Sequence, residues 1–527
     1  MTVPEPRPWR SVRPYAARAV AAVRPAATRI SRTARTAVPR VARPVWTTAT
    51  RITGPRTWRY TAGAATAGLA LAAGVVTAAG PWDSTGQRTA ERDRAVAQER
   101  TGGADHGQGT APGTAAGPPR PAPSAGSVLA ALDGNTPADR TATPLTDVLG
   151  PLLEDPALGD RRAASVVDLA TGKRLHGTGA GAALTPASTT KIATAVAALT
   201  ALGPDHRLTT RTALDPDTGE LVLVGGGDPT LTARADAAGS ASLRTLAADT
   251  AKALEKRHLH EVTLSYDTTL YTGSGTHPIG PNDNLAQVTA LMADEARADA
   301  STSGPAPRES DPAAAAAATF ADLLEDHGIT ASPPGPSKAT GRTATLARVT
   351  SPPLSSLVER MLTESDNDLA EALARHTAVA SGEKADFEGG AAAITARLKQ
   401  LGLSVEGASF HDGSGLDRAD RLTAGLLTDL LATAADPGRP ALRSVLTGLP
   451  VAHFTGTLSG RYTDGAAGLV RAKTGTLTGV NTLAGTVATA DGRVLGFAFL
   501  TAGATDARAA QEALDRTASA LADCGCR

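Results

Sequence analysis

The sequence predicts an α+β fold, in which an antiparallel sheet is flanked by helices and joined to a helical subdomain. Apolar residues recur at helical spacing between 190 and 200. Residues 483–487 instead alternate as in a strand, and an apolar run at 494–500 follows the turn at Asp491 and Gly492. An inserted region, a disordered N-terminal arm and one transmembrane helix complete the predicted organisation.

Residues 1–59 predict a disordered, basic, cytoplasmic arm. They contain many arginines, a single acidic residue (Glu5) and frequent prolines, which break helices. The whole chain nevertheless balances 52 basic against 52 acidic residues, so its net charge does not favour a nucleic-acid partner. Membrane topology already explains the arginines, and we expect no binding to nucleic acid.

Residues 60–80 predict a transmembrane anchor. They contain no charged side chain, and a helix that rises ~1.5 Å per residue would cross a hydrocarbon core of ~30 Å over this length. Trp58, Tyr60 and Trp82 suit the two interfaces, and the arginines precede the segment. We therefore expect a single-pass protein of the cell membrane whose folded part is extracytoplasmic. A signal peptide cleaved near Ala79 is the alternative.

The remaining chain divides into a tether and a folded part. Residues 81–143 are polar, aperiodic and rich in Gly and Pro, which predicts a flexible linker. Residues 144–200 and 352–523 predict the main domain, and residues 201–351, with hairpins and turns, predict an inserted region. The individual elements that we expect are a hairpin around 166–175 and helices at 188–200, 313–325, 353–362, 368–378 and 506–521.

Three short motifs occur in a fixed order along the folded part. They are Ser188-Thr189-Thr190-Lys191, Ser365-Asp366-Asn367 and Lys473-Thr474-Gly475. Each motif is weak alone, because patterns of this length arise by chance. Their joint occurrence, each in a suitable structural context, indicates a serine acyl-transfer site.

The first motif can activate a serine without a histidine. Ser188 begins a predicted helix, where free backbone amides and the helix dipole stabilise a developing oxyanion. Lys191 returns to the same face one turn later. Burial and a second cation at Lys473 would lower the pKa of Lys191, so that it could accept the serine proton. An ordinary serine cap followed by a solvated lysine is the alternative.

The other two motifs have structural alternatives of their own. Ser365 or Asn367 could simply cap the helix that follows. Lys473 could be an edge-strand lysine that prevents aggregation. Gly475 would let the backbone of a substrate approach the strand closely.

These three motifs, together with several other segments, make the sequence resemble the serine-type D-alanyl-D-alanine carboxypeptidase and endopeptidase family, the class C penicillin-binding proteins. The resemblance extends over about residues 145–520. The further matches are Leu184-Thr185-Pro186-Ala187, Gly226-Gly227-Asp228-Pro229-Thr230-Leu231, Ser351-Pro352-Pro353-Leu354, Asp412-Gly413-Ser414-Gly415-Leu416 and Gly456-Thr457-Leu458. The resemblance implies a β-lactamase/transpeptidase-like fold, with residues 144–200 and 352–523 as a transpeptidase-like catalytic domain. The segment between the first two motifs looks short for the family, which leaves the number of inserted subdomains open.

The resemblance also implies a substrate and catalytic roles. Ser188 would attack the penultimate D-Ala of a peptidoglycan stem peptide ending in D-Ala-D-Ala, with Lys191 as its base. Ser365 would pass a proton to the leaving amine, and Asn367 would hold the substrate amide. Lys473 would supply positive potential.

Substrate binding and inhibition follow from the same resemblance. Thr474 and Thr476, beside Gly475, would bind the terminal carboxylate of the substrate, and the amides of Ser188 and Thr476 would form the oxyanion hole. β-Lactams would be covalent inhibitors, and the chemistry needs no cofactor. The histidines are scattered, and we expect no metal site. Two alternatives stay open: a β-lactamase, which shares the motifs, and a non-catalytic protein that binds the wall or senses β-lactams.

Overall fold

The computed structural model describes residues 144–462 and 465–524. The predicted arm (1–59), anchor (60–80) and linker (81–143) lie outside the described residues. Among the helices that are described, none has the length and apolar character needed to cross a bilayer.

The described residues alternate between helices and strands along the chain. The helices are α1 (Leu145–Leu153), α2 (Thr190–Leu202), α3 (Leu243–Glu255), α4 (Pro312–Glu325), α5 (Leu354–Thr363), α6 (Asn367–Ser381), α7 (Phe387–Gln400), α8 (Ala424–Ala435), α9 (Arg443–Thr447) and α10 (Ala507–Ala522). The strands are β1 (Arg161–Asp168), β2 (Arg174–Thr178), β3 (Ala183–Leu184), β4 (Thr209–Leu214), β5 (Glu220–Val224), β6 (Glu261–Asp267), β7 (Thr330–Ala331), β8 (Gly335–Pro336), β9 (Ala344–Thr350), β10 (Leu422–Thr423), β11 (Val470–Leu477), β12 (Val480–Ala488) and β13 (Val494–Ala502).

The main sheet has five antiparallel strands in the order β11-β12-β13-β1-β2. Successive residues of β13 pack into different cores because side chains alternate across a strand. Phe497 and Phe499 face α1 and α10, whereas Ala498 and Leu500 face α2 and α8. This covering of both faces explains why the run at 494–500 is continuously apolar.

Helix α2 lies in the middle of the helical layer. Its residues from Thr190 to Leu199 are all buried, and it packs against α5, α6, α7 and α8. The 3-10 turn that precedes it, Ala187–Thr189, contacts β11 and β12. The residue before the helix is therefore fixed relative to both the helical layer and the main sheet.

Residues 209–350 form a second sheet with its own core. Its strand order is β7-β6-β5-β4-β9, and β8 also pairs with β6. The hairpin expected here is β4–β5, but β6 pairs in parallel with β5 and with β7. Helices α3 and α4 make the crossovers that parallel pairing requires, and both pack against the sheet. The expected hairpin is therefore confirmed at β4–β5, whereas the parallel pairing of β6 was not expected.

Most of the predicted elements are confirmed within a few residues. The hairpins β1–β2 and β12–β13 and helices α2, α4, α5, α6 and α10 lie where the apolar spacing indicates. Helices α1, α3, α7, α8 and α9 were not predicted, although α7 and α8 complete the layer around α2.

Candidate active site

Ser188 lies in a tight turn that leads into α2. Residues Ala187–Thr189 form one 3-10 turn, in which Ala187 has a positive φ of 48°, a strained conformation for a residue with a side chain. The carbonyl of Pro186 accepts hydrogen bonds from the hydroxyls of Thr189 (2.7 Å) and Thr482 (2.8 Å), which fastens the turn to β12. Ser188 remains half-buried at the edge of a cavity.

Lys191 is fully buried one turn further along. Its Nζ donates hydrogen bonds to Ser188 Oγ (3.0 Å), Asn367 Oδ1 (2.7 Å) and the carbonyl of Ser414 (2.7 Å), which uses all three protons of an ammonium group. The amide and carbonyl oxygens can only accept. When the amine is neutral, its two remaining N–H groups therefore stay on those oxygens, and its lone pair is directed at Ser188.

The charge state of Lys191 is set by opposing effects. Burial lowers its pKa to about 8, while four carboxylates, chiefly Asp412 and Glu371, act in the opposite direction. Burial, and not the neighbouring Lys473, is thus the main cause of the shift. Burial and the charge of Lys191 in turn hold the pKa of Lys473 well below its usual range.

The second motif forms the turn that precedes α6. Ser365 has a positive φ of 59° and lines the cavity. Asp366 caps the helix, because its carboxylate accepts a hydrogen bond from the Leu369 amide at 2.9 Å. The alternative that Ser365 or Asn367 is the cap is therefore wrong. Asn367 instead bridges two regions: its Oδ1 accepts from Lys191, and its Nδ2 donates to the Asn284 carbonyl at 2.8 Å.

The inserted region also holds the acidic residues of this turn. The Glu295 carboxyl accepts hydrogen bonds from Arg297 (2.8 Å) and Arg360, and Arg360 also binds Asp366 at 3.3 Å. One residue beyond Asn367, Asp368 forms an ion pair of 2.9 Å with Arg308. The turn is therefore held between α5 and the segment at 284–308.

Three carboxyl groups of this cluster lie within 4.8 Å of one another. Burial raises the pKa of Glu295 to about 8 and that of Asp368 to about 6. Burial would also raise the pKa of Asp366, but the hydrogen bond from Glu295 and the charge of Arg360 lower it below its usual range. Arginine contacts occupy these oxygens, so their grouping is explained without a cation.

The third motif lies on the edge strand β11. Thr474 and Thr476 line the cavity, and the Thr474 hydroxyl donates to Thr457 Oγ1 at 3.0 Å. Lys473 is fully buried and donates to the Thr474 carbonyl at 2.8 Å. Lys473 therefore lies beneath the cavity and is not an exposed edge-strand lysine.

Gly475 has a different structural role from the one expected. A Cβ at this position would lie 2.2 Å from Thr482 Oγ1 and 2.7 Å from the Pro186 carbonyl. The absence of a side chain therefore lets β11 pack against the turn that carries Ser188. Close packing in this direction, toward the interior, accounts for the glycine.

The three motifs meet at one cavity of about 270 Å³. The predicted site residues that line this cavity are Ser188, Ser365, Asn367, Thr474 and Thr476. Lys191, Lys473 and Gly475 lie behind that lining, where they contact or support it.

Sequence reasoning missed several residues around the site. The Ser414 carbonyl is a ligand of Lys191, and Glu295, Arg297 and Arg308 surround the second motif. The sequence contained a signal for Ser414, since the segment Asp412-Gly413-Ser414-Gly415-Leu416 matches the family but had no assigned role. The charged residues at 295–308 carry no comparable signal.

Comparison with known proteins identifies the family. A family model described as D-Ala-D-Ala carboxypeptidase 3 (S13) matches residues 145–310 and 297–522. Carboxypeptidase DacB of Mycolicibacterium smegmatis is 36% identical over 432 residues, which cover 78% of this chain and 90% of that protein. The D-alanyl-D-alanine carboxypeptidase of an Actinomadura species is 29% identical over 445 residues, covering 68% of this chain and 81% of that protein.

A solved structure gives the same result for the fold. The crystal structure of penicillin binding protein 4 (dacB) from Haemophilus influenzae matches with a TM-score of 0.58 at 22% identity, covering 71% of this chain and 98% of that one. The β-lactamase/transpeptidase-like fold is therefore confirmed. Together with the family match, it establishes that this chain belongs to the D-Ala-D-Ala carboxypeptidase 3 (S13) family, as its motifs predicted.

Proposed function

We propose that this protein is a serine-type D-alanyl-D-alanine carboxypeptidase that trims peptidoglycan stem peptides through an acyl-enzyme on Ser188. The observation that carries the proposal is the arrangement around Lys191 Nζ, where two oxygen acceptors leave the amine lone pair for Ser188 Oγ at 3.0 Å. A positioned amine of this kind is a general base for a serine nucleophile.

The reaction would proceed in two balanced steps. Ser188 Oγ attacks the carbonyl of the penultimate D-Ala while its proton passes to Lys191, and the amides of Ser188 and Thr476 stabilise the oxyanion. The C–N bond then breaks, and the terminal D-Ala leaves with a proton delivered through Ser365. Water hydrolyses the ester and restores the serine. Asn367 would orient the substrate amide during both steps.

The terminal carboxylate of the substrate would bind beside the third motif. Thr474 and Thr476 present hydroxyl groups to the cavity, and Lys473 lies directly beneath. A bound carboxylate would favour the charged form of Lys473, which burial disfavours in the free enzyme. Substrate binding would thus create the positive potential that the resemblance implies.

Release of D-Ala from a synthetic stem pentapeptide tests this function. We expect the wild type to release D-Ala and to form a stable adduct with a fluorescent penicillin. Ser188→Ala should do neither, and Lys191→Ala should fold normally but fail to acylate. Ser404→Ala, which alters an exposed serine outside the cavity lining, is the matched control. A wild-type protein that releases no D-Ala, or a Ser188→Ala variant that still does, would contradict the proposal.

Two other activities are separated by the same reagents. A β-lactamase would hydrolyse the penicillin rapidly and accumulate no adduct. A wall-binding or β-lactam-sensing protein would bind muropeptides without releasing D-Ala. Endopeptidase activity would appear as cleavage of cross-linked muropeptide dimers, which mass spectrometry distinguishes from trimming of monomers.

We also propose that residues 60–80 anchor the enzyme in the cell membrane. The uncharged segment, its aromatic flanks and the preceding arginines support this topology. The full chain should remain in the membrane fraction after alkaline extraction. A mature N-terminus close to residue 80 would instead indicate a cleaved signal peptide.

The domain organisation is part of the same proposal. We infer a catalytic domain from 144–200 and 352–523, an inserted region at 201–351, a linker at 81–143 and a basic arm at 1–59. The confinement of the second sheet to residues 209–350 supports the insertion. Limited proteolysis should cut within 81–143 first and leave both folded regions as one fragment.

A further inference from the structure

The turn at 412–415 provides one of the three acceptors of Lys191. The Ser414 carbonyl lies 2.7 Å from Lys191 Nζ. Because this acceptor belongs to the backbone, its position depends on how the whole turn is held. The turn also packs directly under the nucleophile, since a Cβ on Gly415 would lie 1.9 Å from the Ala187 carbonyl.

Two buried carboxylates hold this turn through its amides. Glu371 accepts hydrogen bonds from the amides of Gly413 (3.1 Å) and Ser414 (2.9 Å). Asp412 Oδ1 accepts from the amides of Ser414 (3.1 Å) and Gly415 (2.6 Å). Both acidic residues are 1% exposed. The direction of the Ser414 carbonyl is thus set by two carboxylates that do not themselves contact Lys191 Nζ.

The inserted region supplies the partner of Asp412. His277 Nε2 lies 2.9 Å from Asp412 Oδ2, and the two side chains are 2% and 0% exposed. The Ile279 amide donates to His277 Nδ1 at 3.2 Å, so Nε2 bears the proton and donates it to Asp412. The ring also packs edge-on against Phe387, with centroids 5.2 Å apart.

His277, Glu371 and Asp412 have the composition of a metal site. Their atoms are otherwise engaged, however. Glu371 and Asp412 accept backbone amides, and Asp412 also accepts from His277. A cation would have to displace these hydrogen bonds, which favours a structural network over a metal centre.

We propose that Glu371, Asp412 and His277 are positioning residues for the catalytic base: they hold the Ser414 carbonyl so that it directs Lys191 toward Ser188. The proposal rests on the proposed function and adds that the inserted region takes part in catalysis through His277. It also assigns a role to the Asp412-Gly413-Ser414-Gly415 segment, for which the sequence alone gave none.

The network also acts on Lys191 through its charge. The titratable and charged groups that face Lys191 are Asp412, Glu371, Asp366, Asp368 and Lys473. Burial raises the pKa of Glu371 to about 7, so Glu371 is largely ionised in the pH range where Lys191 titrates. Its removal should make the neutral amine available at lower pH. A purely structural role would not produce that shift.

Glu371→Gln separates charge from shape. The amide keeps the side-chain volume and one oxygen for the turn amides but removes the negative charge. We expect the acidic limb of the pH–acylation profile, measured with a fluorescent penicillin on the full chain, to move down by roughly half to one pH unit. Asp429→Asn is the matched control, because Asp429 pairs with Arg174 and is not among the groups facing Lys191. The acidic limb of the pH–acylation profile of this variant should not move.

His277 provides a second test that does not depend on Glu371. His277→Ala removes one of three donors to Asp412 Oδ2 and leaves the Asp417 amide (2.7 Å) and the Ser414 hydroxyl (3.2 Å). Because the lost donor is the one that ties Asp412 to residues 201–351, we expect acylation to slow by about tenfold. His277→Gln can place an amide N–H near the same oxygen and should restore most of the rate. Thermal unfolding of each variant confirms that it is folded at the assay temperature.

The outcomes discriminate between the proposals. Wild-type D-Ala release and acylation establish the proposed function independently of these variants. A wild-type rate and profile in Glu371→Gln and His277→Ala would overturn the positioning role. A uniform loss of rate without a shift in the acidic limb of Glu371→Gln, or equal losses in His277→Ala and His277→Gln, would likewise overturn it.

Discussion

Removal of the Glu295 carboxyl tests how residues 201–351 support the turn of the second motif, Ser365-Asp366-Asn367. Residues 294–296 all have positive φ angles, between 53° and 55°, and each costs about 1–3 kcal/mol. Such a run persists only where its contacts outweigh the strain. Those contacts include hydrogen bonds to the Glu295 carboxyl from Arg297 and Arg360, and the hydrogen bond that Glu295 shares with Asp366. The Asp294 carboxylate and the backbone amides of the run make further hydrogen bonds.

The magnitude follows from the groups that Glu295→Ala would leave behind. Arg297 and Asp366 would each lose a buried partner, at about 1–3 kcal/mol per group. Arg360 is 36% exposed, so water would replace much of its contact. We therefore expect the free energy of unfolding to fall by about 2–6 kcal/mol. Because Ser365 and Asn367 flank Asp366, acylation should slow as well.

Glu295→Gln is the matched variant. Burial raises the pKa of Glu295 to about 8 from its ordinary 4.5, so the carboxyl is protonated at neutral pH. Glutamine supplies a donor and an acceptor of the same size, and the expected loss is below about 1 kcal/mol. Because the folded pKa is raised, the stabilising contribution of the carboxyl is complete below about pH 4 and declines as the pH rises through 8. The wild type should therefore lose stability relative to Glu295→Gln between pH 6 and 9.

Urea unfolding at several pH values measures both effects, and penicillin acylation measures the effect on the site. Equal midpoints for Glu295→Ala and the wild type, with equal acylation rates, would refute a supporting role for the carboxyl. A difference between Glu295→Gln and the wild type that is constant from pH 6 to 9 would refute its protonation in the folded state.

Three further outcomes follow from the structure. Burial lowers the pKa of Lys191 to about 8, and only the neutral amine is a base, so the acylation rate should rise about tenfold per pH unit below pH 8. Stopped-flow fluorescence measures this rate, and a constant rate from pH 6 to 8 would contradict the prediction. Gly475→Ala would force a methyl group against Thr482 and Pro186. We therefore expect the free energy of unfolding, measured with urea, to fall by about 1–3 kcal/mol and acylation to slow. Unchanged values of both would show that the strand can shift without cost. Asp506→Ala removes the cap of α10, which should cost about 0.5–2 kcal/mol in the same unfolding assay; an unchanged unfolding midpoint would show that the cap does not stabilise the helix.

The features that the sequence predicted well are those determined by neighbours along the chain. The spacing of apolar residues located α2 and the β12–β13 hairpin, because the buried positions of an element are apolar residues within the element itself. The short motif at Ser188 predicted the contact between Ser188 and Lys191 for the same reason, since Lys191 follows one helical turn later. Ser188 and Lys191 are neighbours both along the chain and in space.

The features that were missed depend on distant contacts. The capping role of Asp366 could not be chosen over Ser365 or Asn367 by pattern, because all three residue types can cap. The parallel pairing of β5 with β6 depends on the crossover helix α3, which was not predicted. Glu295 was also overlooked, because its partners Arg360 and Asp366 are more than sixty residues away.

Residues 201–351 contact the proposed active site from two sides. At the second motif, the Asn284 carbonyl holds Asn367 with its Oδ1 toward Lys191. Behind the first motif, His277 fastens Asp412 and hence the turn that carries the other carbonyl acceptor. Both acceptors that orient the amine therefore depend on one region. Changes in that region that preserve its own sheet but displace residues 277 or 284 should alter catalysis more than stability.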